Sequence, residues 1–154
     1  MAGFQNLIAA IWHRLPFGLR RWSMRVMHSR FTVTAGAVIF NQSGQTLLLK
    51  HRFRAGSGWG LPGGFLEAGE QPIEALRREL REELGLELQD VQIFLARSFR
   101  KPKQVEILFR GSADGPVTPR TMEVERAEWF SLDALPDGLP RDQRRLVEQA
   151  AKSM

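Results

Sequence analysis

The sequence contains no cysteine and no tyrosine among its 154 residues. Without cysteine the chain has no disulfide, no thiolate metal ligand and no thiol nucleophile, so any metal must bind oxygen or imidazole nitrogen, and a cytoplasmic setting is expected. Without tyrosine, one common partner for stacking on a planar ring is missing. No stretch approaches the roughly 18 consecutive apolar residues that a membrane-spanning helix needs. These absences favour a soluble domain whose chemistry rests on oxygen and nitrogen groups.

The positive charge of the chain is confined to one segment. The net charge of +5 suggests a nucleic-acid partner at first. Residues 1–30, however, contain five arginines and no acidic residue, whereas residues 31–154 contain 17 basic and 17 acidic residues. Nor do aromatic and basic side chains alternate as they do on surfaces that bind RNA. We therefore expect neither DNA nor RNA as a partner.

A single domain is predicted over residues 31–154, since one hydrophobic core typically serves roughly 100–200 residues. Residues 1–30 are predicted to form a basic, amphipathic helical extension, with one helix over 4–15 and a second over about 19–28. Arginines opposite apolar residues suit an anionic membrane surface. Packing on the domain, or on a second copy of the chain in a homodimer, explains the same pattern, and we favour packing.

Helix and strand patterns are interspersed along the predicted domain. The glycine-rich stretch 53–64 is predicted as a loop, and Pro72 and Gly85 frame the clearest helix. Helices interspersed with strands predict an α/β or α+β sandwich. Strands are predicted over 32–41, 45–52, 91–99, 104–112 and 123–130, and helices over 72–84 and 141–151.

Three glutamates share one side of the predicted helix over 72–84. At about 100° per residue, Glu79, Glu82 and Glu83 fall within an arc of about 100° beside an apolar stripe of leucines. Like charges at these spacings repel one another, and more strongly when they are partly buried. A hard divalent cation such as Mg²⁺ would neutralise them. The alternative is a solvated face with ordinary ion pairs to the neighbouring arginines, and the helix alone favours that interpretation.

The stretch before this helix, GWGLPGGFLEAGE at residues 58–70, changes the balance. Glycine lacks a Cβ, so the backbone at Gly63 and Gly64 can approach a ligand closely. The combined pattern is Gly64, five residues, Glu70, seven residues, Arg78-Glu79-Leu80, one residue, Glu82-Glu83, one residue and Gly85-Leu86. It resembles the box of the Nudix (MutT-like) hydrolase family at every defining position, and the likeness extends over about residues 32–135.

The resemblance implies a fold, a reaction and a set of metal ligands. Nudix hydrolases form an α/β/α sandwich around a mixed β-sheet and use Mg²⁺, or Mn²⁺, to cleave a diphosphate that joins a nucleoside to another moiety. The likeness implies Glu79, Glu82 and Glu83 as metal ligands, together with a backbone carbonyl at Gly63 or Gly64. Arg78 would hold the glutamates through charge-assisted hydrogen bonds.

The proton acceptor of this reaction stays open. Metal-dependent hydrolysis needs a carboxylate that takes a proton from the attacking water. Glu79, Glu82 and Glu123 are the candidates, because the acidic partner varies within the family. An ordinary exposed strand residue is the alternative for Glu123. Glu70 is expected to brace the loop against the helix rather than to perform chemistry.

Substrate recognition is expected outside the box. Phe99 or Trp59 is a candidate for stacking on a base, although either also suits a hydrophobic core. Arginines and lysines around the box are candidates for phosphate contact, although a basic exposed turn is the alternative for those after Phe99. These cationic candidates are Arg52, Arg54, Arg100, Lys101 and Lys103.

The expected partner is a nucleotide-derived small molecule. ADP-ribose is the leading candidate, because Pro102 stands sixteen residues after the box, as in relatives that cleave ADP-ribose. Nucleotide sugars and CDP-alcohols follow. A nucleoside triphosphate pyrophosphatase, including one that removes oxidised nucleotides, is the alternative enzyme. A non-catalytic nucleotide-binding domain is a further alternative, which the intact box disfavours.

Overall fold

The structure is a computed structural model that describes residues 15–19, 22, 26 and 29–152. The chain divides into two compact units, residues 1–31 and residues 32–154. In the first unit, residues 17–19, 22 and 26 are helical, and they fall in or beside the helix predicted over about 19–28. The helix predicted over 4–15 lies almost wholly outside the described residues. None of the described helices has the length and apolar character needed to cross a bilayer.

Within residues 29–152, seven strands form one mixed sheet. Their order is β3-β2-β1-β6-β5, with β4 also paired to β1 and β7 also paired to β2. β1 and β6 run parallel, and the other pairs are antiparallel. The strands are β1 (Thr32–Phe40), β2 (Thr46–His51), β3 (Trp59–Gly60), β4 (Gly63–Phe65), β5 (Gln89–Phe99), β6 (Gln104–Ser112) and β7 (Val124–Phe130).

Two helices cover the two faces of this sheet, α1 (Pro72–Leu84) and α2 (Arg141–Ala151), and a short 3-10 helix spans Leu132–Ala134. Successive strand residues point to opposite faces, so β1 and β2 each supply both cores. The core on the α1 face includes Ile39, Leu47, Leu49, Leu76 and Leu80. The core on the α2 face includes Val38, Leu48, Leu108, Leu146 and Val147. The predicted α/β/α sandwich around a mixed sheet is confirmed.

Helix α1 begins and ends where the sequence signals predict. Pro72 occupies its first turn, where backbone N–H groups have no partner within the helix, so proline costs no hydrogen bond. The Gln71 N–H donates to Glu74 Oε2 at 2.9 Å, which satisfies one of the unpaired groups at the helix start. Gly85 ends the helix with φ of 68°, in the left-handed region that glycine tolerates. These local contacts fix the rotation and length of the helix that carries the glutamates.

The loop predicted over 53–64 is wrong at its C-terminal end. β3 pairs with β2, and β4 pairs with β1 so that Gly64 lies opposite Ala35. Gly63 has φ of 147°, and a Cβ there would overlap the β1 backbone at Ala35 and Gly36. Glycine is therefore needed for this close strand pairing, which the sequence shows only as a flexible stretch.

Candidate functional site

Helix α1 lies so close to β4 that a side chain from one meets the backbone of the other. A Cβ on Gly64 would overlap the carboxylate end of Glu79. Glycine at this position therefore makes room for the glutamate beside the backbone of β4. The part of the box on α1, with Glu79, is thereby brought against the part on β4, with Gly64.

Arg78 connects the loop before α1 to two of the glutamates. Its Nε and Nη2 donate to the two oxygens of Glu70 at 2.9 and 3.2 Å, and Nη2 also donates to the Phe65 carbonyl at 3.1 Å. Its Nη1 donates to Glu79 Oε1 at 3.1 Å and lies 3.6 Å from Glu82 Oε2. The hydrogen bonds from Arg78, followed by one from the Glu67 backbone, hold the pKa of Glu70 below its usual value. A single guanidinium thus orients two candidate metal ligands.

An acidic cavity of about 240 Å³ lies between α1, β4 and the ends of β2 and β7. Glu79, Glu83 and Glu123 line it, and a wider opening of about 480 Å³ continues past the same three glutamates to Arg78, Glu82, Thr121 and Met122. The four glutamates come from one helix and from the residue before β7. The other residues that line the acidic cavity are His51, Phe53, Arg54, Gly63, Gly64 and Phe65.

The carboxylates in this cavity resist simultaneous ionisation. Burial, followed by repulsion from Glu79 and Glu123, raises the pKa of Glu83 to about 7. Burial also raises the pKa of Glu79, although Arg78 opposes that shift. Carboxylates that share a partly desolvated site favour a nearby cation over a further negative charge. The electrostatics of the cavity therefore suit a cationic ligand.

Polar atoms without a partner cluster around the acidic cavity. Buried side-chain polar atoms nearly always have a hydrogen-bond partner, so the exceptions are informative. Five such exceptions occur among the described residues, and four of them surround this site. The four atoms include hydrogen-bond acceptors, which suit a bound cation, and hydrogen-bond donors, which suit a bound anion. The four atoms are Glu83 Oε2, His51 Nε2, Arg54 Nη1 and Thr121 Oγ1, and the fifth is Thr46 Oγ1 in the sheet.

The imidazole of His51 is neutral at pH 7. Burial, followed by repulsion from the Arg54 guanidinium, lowers the pKa of His51 to about 4. Arg54 is itself placed against Gly60, where a Cβ would overlap its Nη1. Burial lowers the pKa of Arg54, while attraction to Glu83 and Glu106 raises it. These two nitrogen-bearing residues line the acidic cavity together with the glutamates.

The donor set of this cavity fits a hard divalent cation. Carboxylate oxygens and a backbone carbonyl at Gly63 or Gly64 are the ligand types that Mg²⁺ prefers, and Mn²⁺ accepts them too. Across the described part of the chain, however, no three acidic or histidine side chains already surround one point as a metal cage. Arg78 holds Glu79 and Glu82, and mutual repulsion disfavours closer approach of the four carboxylates.

A second cavity, the side cavity, lies on the α2 face of the sheet and measures about 330 Å³. It shares Arg54, Gly63, Gly64 and Phe65 with the acidic cavity. The two cavities are therefore neighbours on either side of the β4 backbone. Its remaining lining comes from β1, from the link between β3 and β4, from β6 and from α2, namely Thr34, Ala35, Gly36, Leu61, Pro62, Gln104, Glu106, Leu108 and Gln143.

The structure brings only part of the predicted substrate contacts to these cavities. Arg54 lines both of them. Arg52, the three cations of the β5–β6 turn and Phe99 line neither, and the Arg97 guanidinium lies 4.8 Å from the centre of the Phe99 ring. Trp59 packs edge-on against Phe130 in the core, with ring centres 5.1 Å apart. The cations of that turn are Arg100, Lys101 and Lys103.

Several cavity residues were not identified from the sequence. Phe65 directly follows the paired glycines and is 63% exposed, so its position in the box was the available signal. Phe53 is 79% exposed at the mouth of the acidic cavity, in a stretch that resembles any surface loop. His51 ends β2, and its local sequence carries no signal for a site. Glu106 lies within a predicted strand, where a single acidic residue gives no signal for a site.

Comparison with known proteins agrees with the box. A family model of the NUDIX domain matches residues 30–150. The chain is 38% identical over 74 residues to the NAD-capped RNA hydrolase NudC of Pseudomonas aeruginosa (strain LESB58), which covers 47% of this chain and 27% of that protein. It is 33% identical over 122 residues to the human 8-oxo-dGDP phosphatase NUDT18, which covers 75% of this chain and 38% of that protein.

A solved structure shows the same similarity. The crystal structure of the MutT NUDIX hydrolase from Burkholderia pseudomallei superposes with a TM-score of 0.69 at 29% identity, covering 79% of this chain and 98% of that chain. The chain spans between 27% and 52% of the length of the curated relatives it matches. Because the family model covers most of the chain, and the box residues meet in one cavity, this chain belongs to the Nudix hydrolase family.

Proposed function

We propose that this chain hydrolyses the diphosphate bond of a nucleoside diphosphate linked to a second moiety, with Mg²⁺ or Mn²⁺ as the cofactor. One observation carries the proposal. The residues that line the acidic cavity carry a buried carboxylate oxygen without a partner, on Glu83, and buried nitrogen atoms without one, on His51 and Arg54. A bound metal and the diphosphate that it screens would satisfy both sets of atoms at once.

Glu79, Glu82 and Glu83 would hold the metal, together with a backbone carbonyl at Gly64. When bound, the cation screens the diphosphate charge and lowers the pKa of a coordinated water. Gly64 makes the close approach of Glu79 to β4 sterically allowed. Arg78 acts as a positioning residue, because it fixes Glu79 while anchoring itself on the loop.

His51 and Arg54 would bind the diphosphate. Both residues line the same cavity as Glu83, and each carries a buried nitrogen atom that has no partner among the described residues. A neutral imidazole with its proton on Nε2 donates one hydrogen bond, and a guanidinium donates several to phosphate oxygens. These donors would orient the diphosphate and stabilise the charge that develops on the leaving phosphate.

Glu123 is the carboxylate best placed to take the proton of the attacking water. Glu79 and Glu82 are engaged by Arg78, at 3.1 and 3.6 Å. Glu123 lines the acidic cavity and the wider opening, and no described residue forms an ion pair with it. Glu79 and Glu82 stay as alternatives for this role.

Within the proposed class, ADP-ribose, nucleotide sugars and CDP-alcohols are the candidate substrates. The names of the relatives, a NAD-capped RNA hydrolase and an 8-oxo-dGDP phosphatase, both denote nucleotide substrates. A nucleoside triphosphate pyrophosphatase is the second candidate function. The products separate the two, since the first yields a monophosphate and a phosphorylated second moiety, and the second yields a monophosphate and pyrophosphate.

The proposal is tested with variants on the fastest substrate from a screen of these classes. Glu82→Gln and Glu83→Gln each remove one candidate metal ligand and are expected to lower the turnover number by about 10²-fold or more. Glu87→Gln is the matched control, because Glu87 pairs with Arg81 outside both cavities and its loss should leave turnover within about 2-fold. Near wild-type turnover in either of the first two variants would refute the metal assignment.

A further inference from the structure

The side cavity has apolar and aromatic side chains in its lining. Leu61 and Leu108 form apolar walls, and both are almost completely buried. Phe65 adds an exposed aromatic ring at the border with the acidic cavity. Apolar and aromatic side chains suit the faces of a planar heterocycle better than the hydroxylated surface of a sugar. A ring in this cavity would lie next to a diphosphate over the β4 backbone.

Polar groups line the same cavity. Gln104, Glu106 and Leu108 stand two residues apart along β6 and therefore share its α2 face. Gln104 Nε2 donates to Thr34 Oγ1 at 2.8 Å, which leaves its Oε1 as an acceptor. The backbone N–H of Leu61 donates to Gln143 Oε1 at 2.8 Å, which leaves the Gln143 amide nitrogen as a donor.

Glu106 is an acceptor held in a fixed orientation. One of its oxygens accepts a hydrogen bond from Arg97 Nε, and Arg97 Nη2 also donates to Asp142 Oδ2 at 3.1 Å. No donor from the described part of the chain reaches the other Glu106 oxygen. The side chain is 19% exposed, so much of its hydration is already lost. Arg54 is close enough to attract it electrostatically from the side of the acidic cavity.

We propose that the side cavity binds the base of the substrate and that Glu106 selects guanine. The inference rests on the proposed function, because it assigns the base of the same nucleoside diphosphate. A carboxylate only accepts hydrogen bonds, and among the common bases guanine alone presents two adjacent donors, N1–H and the N2 amino group. The Gln143 amide nitrogen supplies a donor for guanine O6.

The other bases present a poorer match to a carboxylate. Adenine and cytosine place a ring-nitrogen acceptor beside their single amino group, and uracil flanks its N3–H with two carbonyl oxygens. Each of these acceptors would face the negative charge of Glu106, and the carboxylate would lose water without full replacement. GDP-linked substrates therefore rank above ADP-ribose and the CDP-alcohols within the proposed class.

The test compares GDP-, ADP-, CDP- and UDP-glucose, which differ only in the base. We expect kcat/KM for GDP-glucose to exceed the others by about 10–100-fold, the discrimination that a good bidentate contact gives. Glu106→Gln should lower kcat/KM for GDP-glucose by a similar factor and change the others by less than about 3-fold. Asp142→Asn is the matched control, because it removes the other acidic partner of Arg97 without touching the cavity, and it should keep the preference.

Calorimetry gives a second measurement, the affinity of the wild-type protein for free nucleoside monophosphates without metal. It requires neither turnover nor a variant that folds. GMP should bind about 10-fold or more tightly than IMP, which lacks only the N2 amino group, and than AMP. Equal affinities for GMP, IMP and AMP would overturn the inference. A Glu106→Gln variant that lowers kcat/KM for all four sugar nucleotides equally would also overturn it, because the carboxylate would then contact the sugar. Hydrolysis of all four substrates at similar rates would leave the proposed function standing and refute the guanine assignment. If none of the four is hydrolysed, the GMP, IMP and AMP affinities alone decide the inference.

Discussion

Replacing Glu83 by glutamine should stabilise the metal-free protein while it removes metal binding. The glutamate is 5% exposed, its Oε2 has no partner, and its pKa is raised to about 7 from the ordinary 4.5. Between these two values the folded state binds more protons than the unfolded state. Stability therefore falls as the pH rises through this window, and the full loss is present above pH 7.

The size of the effect follows from the shift. Each pKa unit corresponds to about 1.4 kcal/mol, so the rise from 4.5 to about 7 gives an upper bound of about 3.5 kcal/mol. The acidic cavity opens to solvent, and screening reduces this to about 1–2 kcal/mol. Glu83→Gln removes the ionisation and should raise the stability of the metal-free protein by that amount at pH 8, with little change at pH 4.5. The melting temperature should rise by roughly 4 °C at pH 8.

Urea or thermal unfolding in EDTA at the two pH values measures this difference. Repetition with Mg²⁺ should stabilise the wild type more than the variant, because ligand binding to the folded state adds stability only where the site is intact. Glu87→Gln serves as the control and should show neither effect. A Glu83→Gln variant that is destabilised at pH 8 without metal would refute the account of the cavity as a site of repelling carboxylates.

Three further predictions concern single side chains of the site. Gly64→Ala should lower turnover by about 10²-fold with a small loss of stability, because the new methyl group displaces only the flexible end of Glu79. Gly63→Ala should instead destabilise the fold by about 2 kcal/mol or more, because its methyl group meets the β1 backbone. Thermal unfolding and enzyme kinetics on both variants separate the two effects. Glu123→Gln should lower kcat by about 10²–10⁴-fold with KM and melting temperature nearly unchanged; a wild-type kcat would exclude it as the proton acceptor. Arg78→Lys should lower kcat by about 10-fold or more, since lysine cannot make the bidentate contact with Glu70 while reaching Glu79, and an unchanged kcat would contradict its positioning role.

The elements that the sequence predicts well are those with local signals. Helix α1 carries its own start and stop in Pro72 and Gly85, and its leucine period fixes which face is buried. The glutamates follow from that rotation, so their approach to one another needed no tertiary information. The short strand β4 depended on pairing with β1, which no local pattern reports.

Substrate contacts were harder to predict, because they depend on residues that are distant in the chain. The charge of the basic β5–β6 turn favours phosphate contact, yet the position of a hairpin turn is set by the strands it joins, and this turn lines neither cavity. The side cavity instead joins β6 to α2 through Glu106 and Gln143, which lie far apart in sequence. Polar residues on the inward face of a predicted strand, as at Gln104 and Glu106, were the signal that could have indicated it.

The most direct test of the central claim is a ³¹P NMR spectrum of a nucleoside diphosphate sugar mixture incubated with the protein and Mg²⁺. The account predicts that diphosphate signals are replaced by signals of two phosphomonoesters, one a nucleoside monophosphate, and that EDTA abolishes the change. Diphosphate signals that persist unchanged with Mg²⁺ and with Mn²⁺, or cleavage that continues in EDTA, would contradict it.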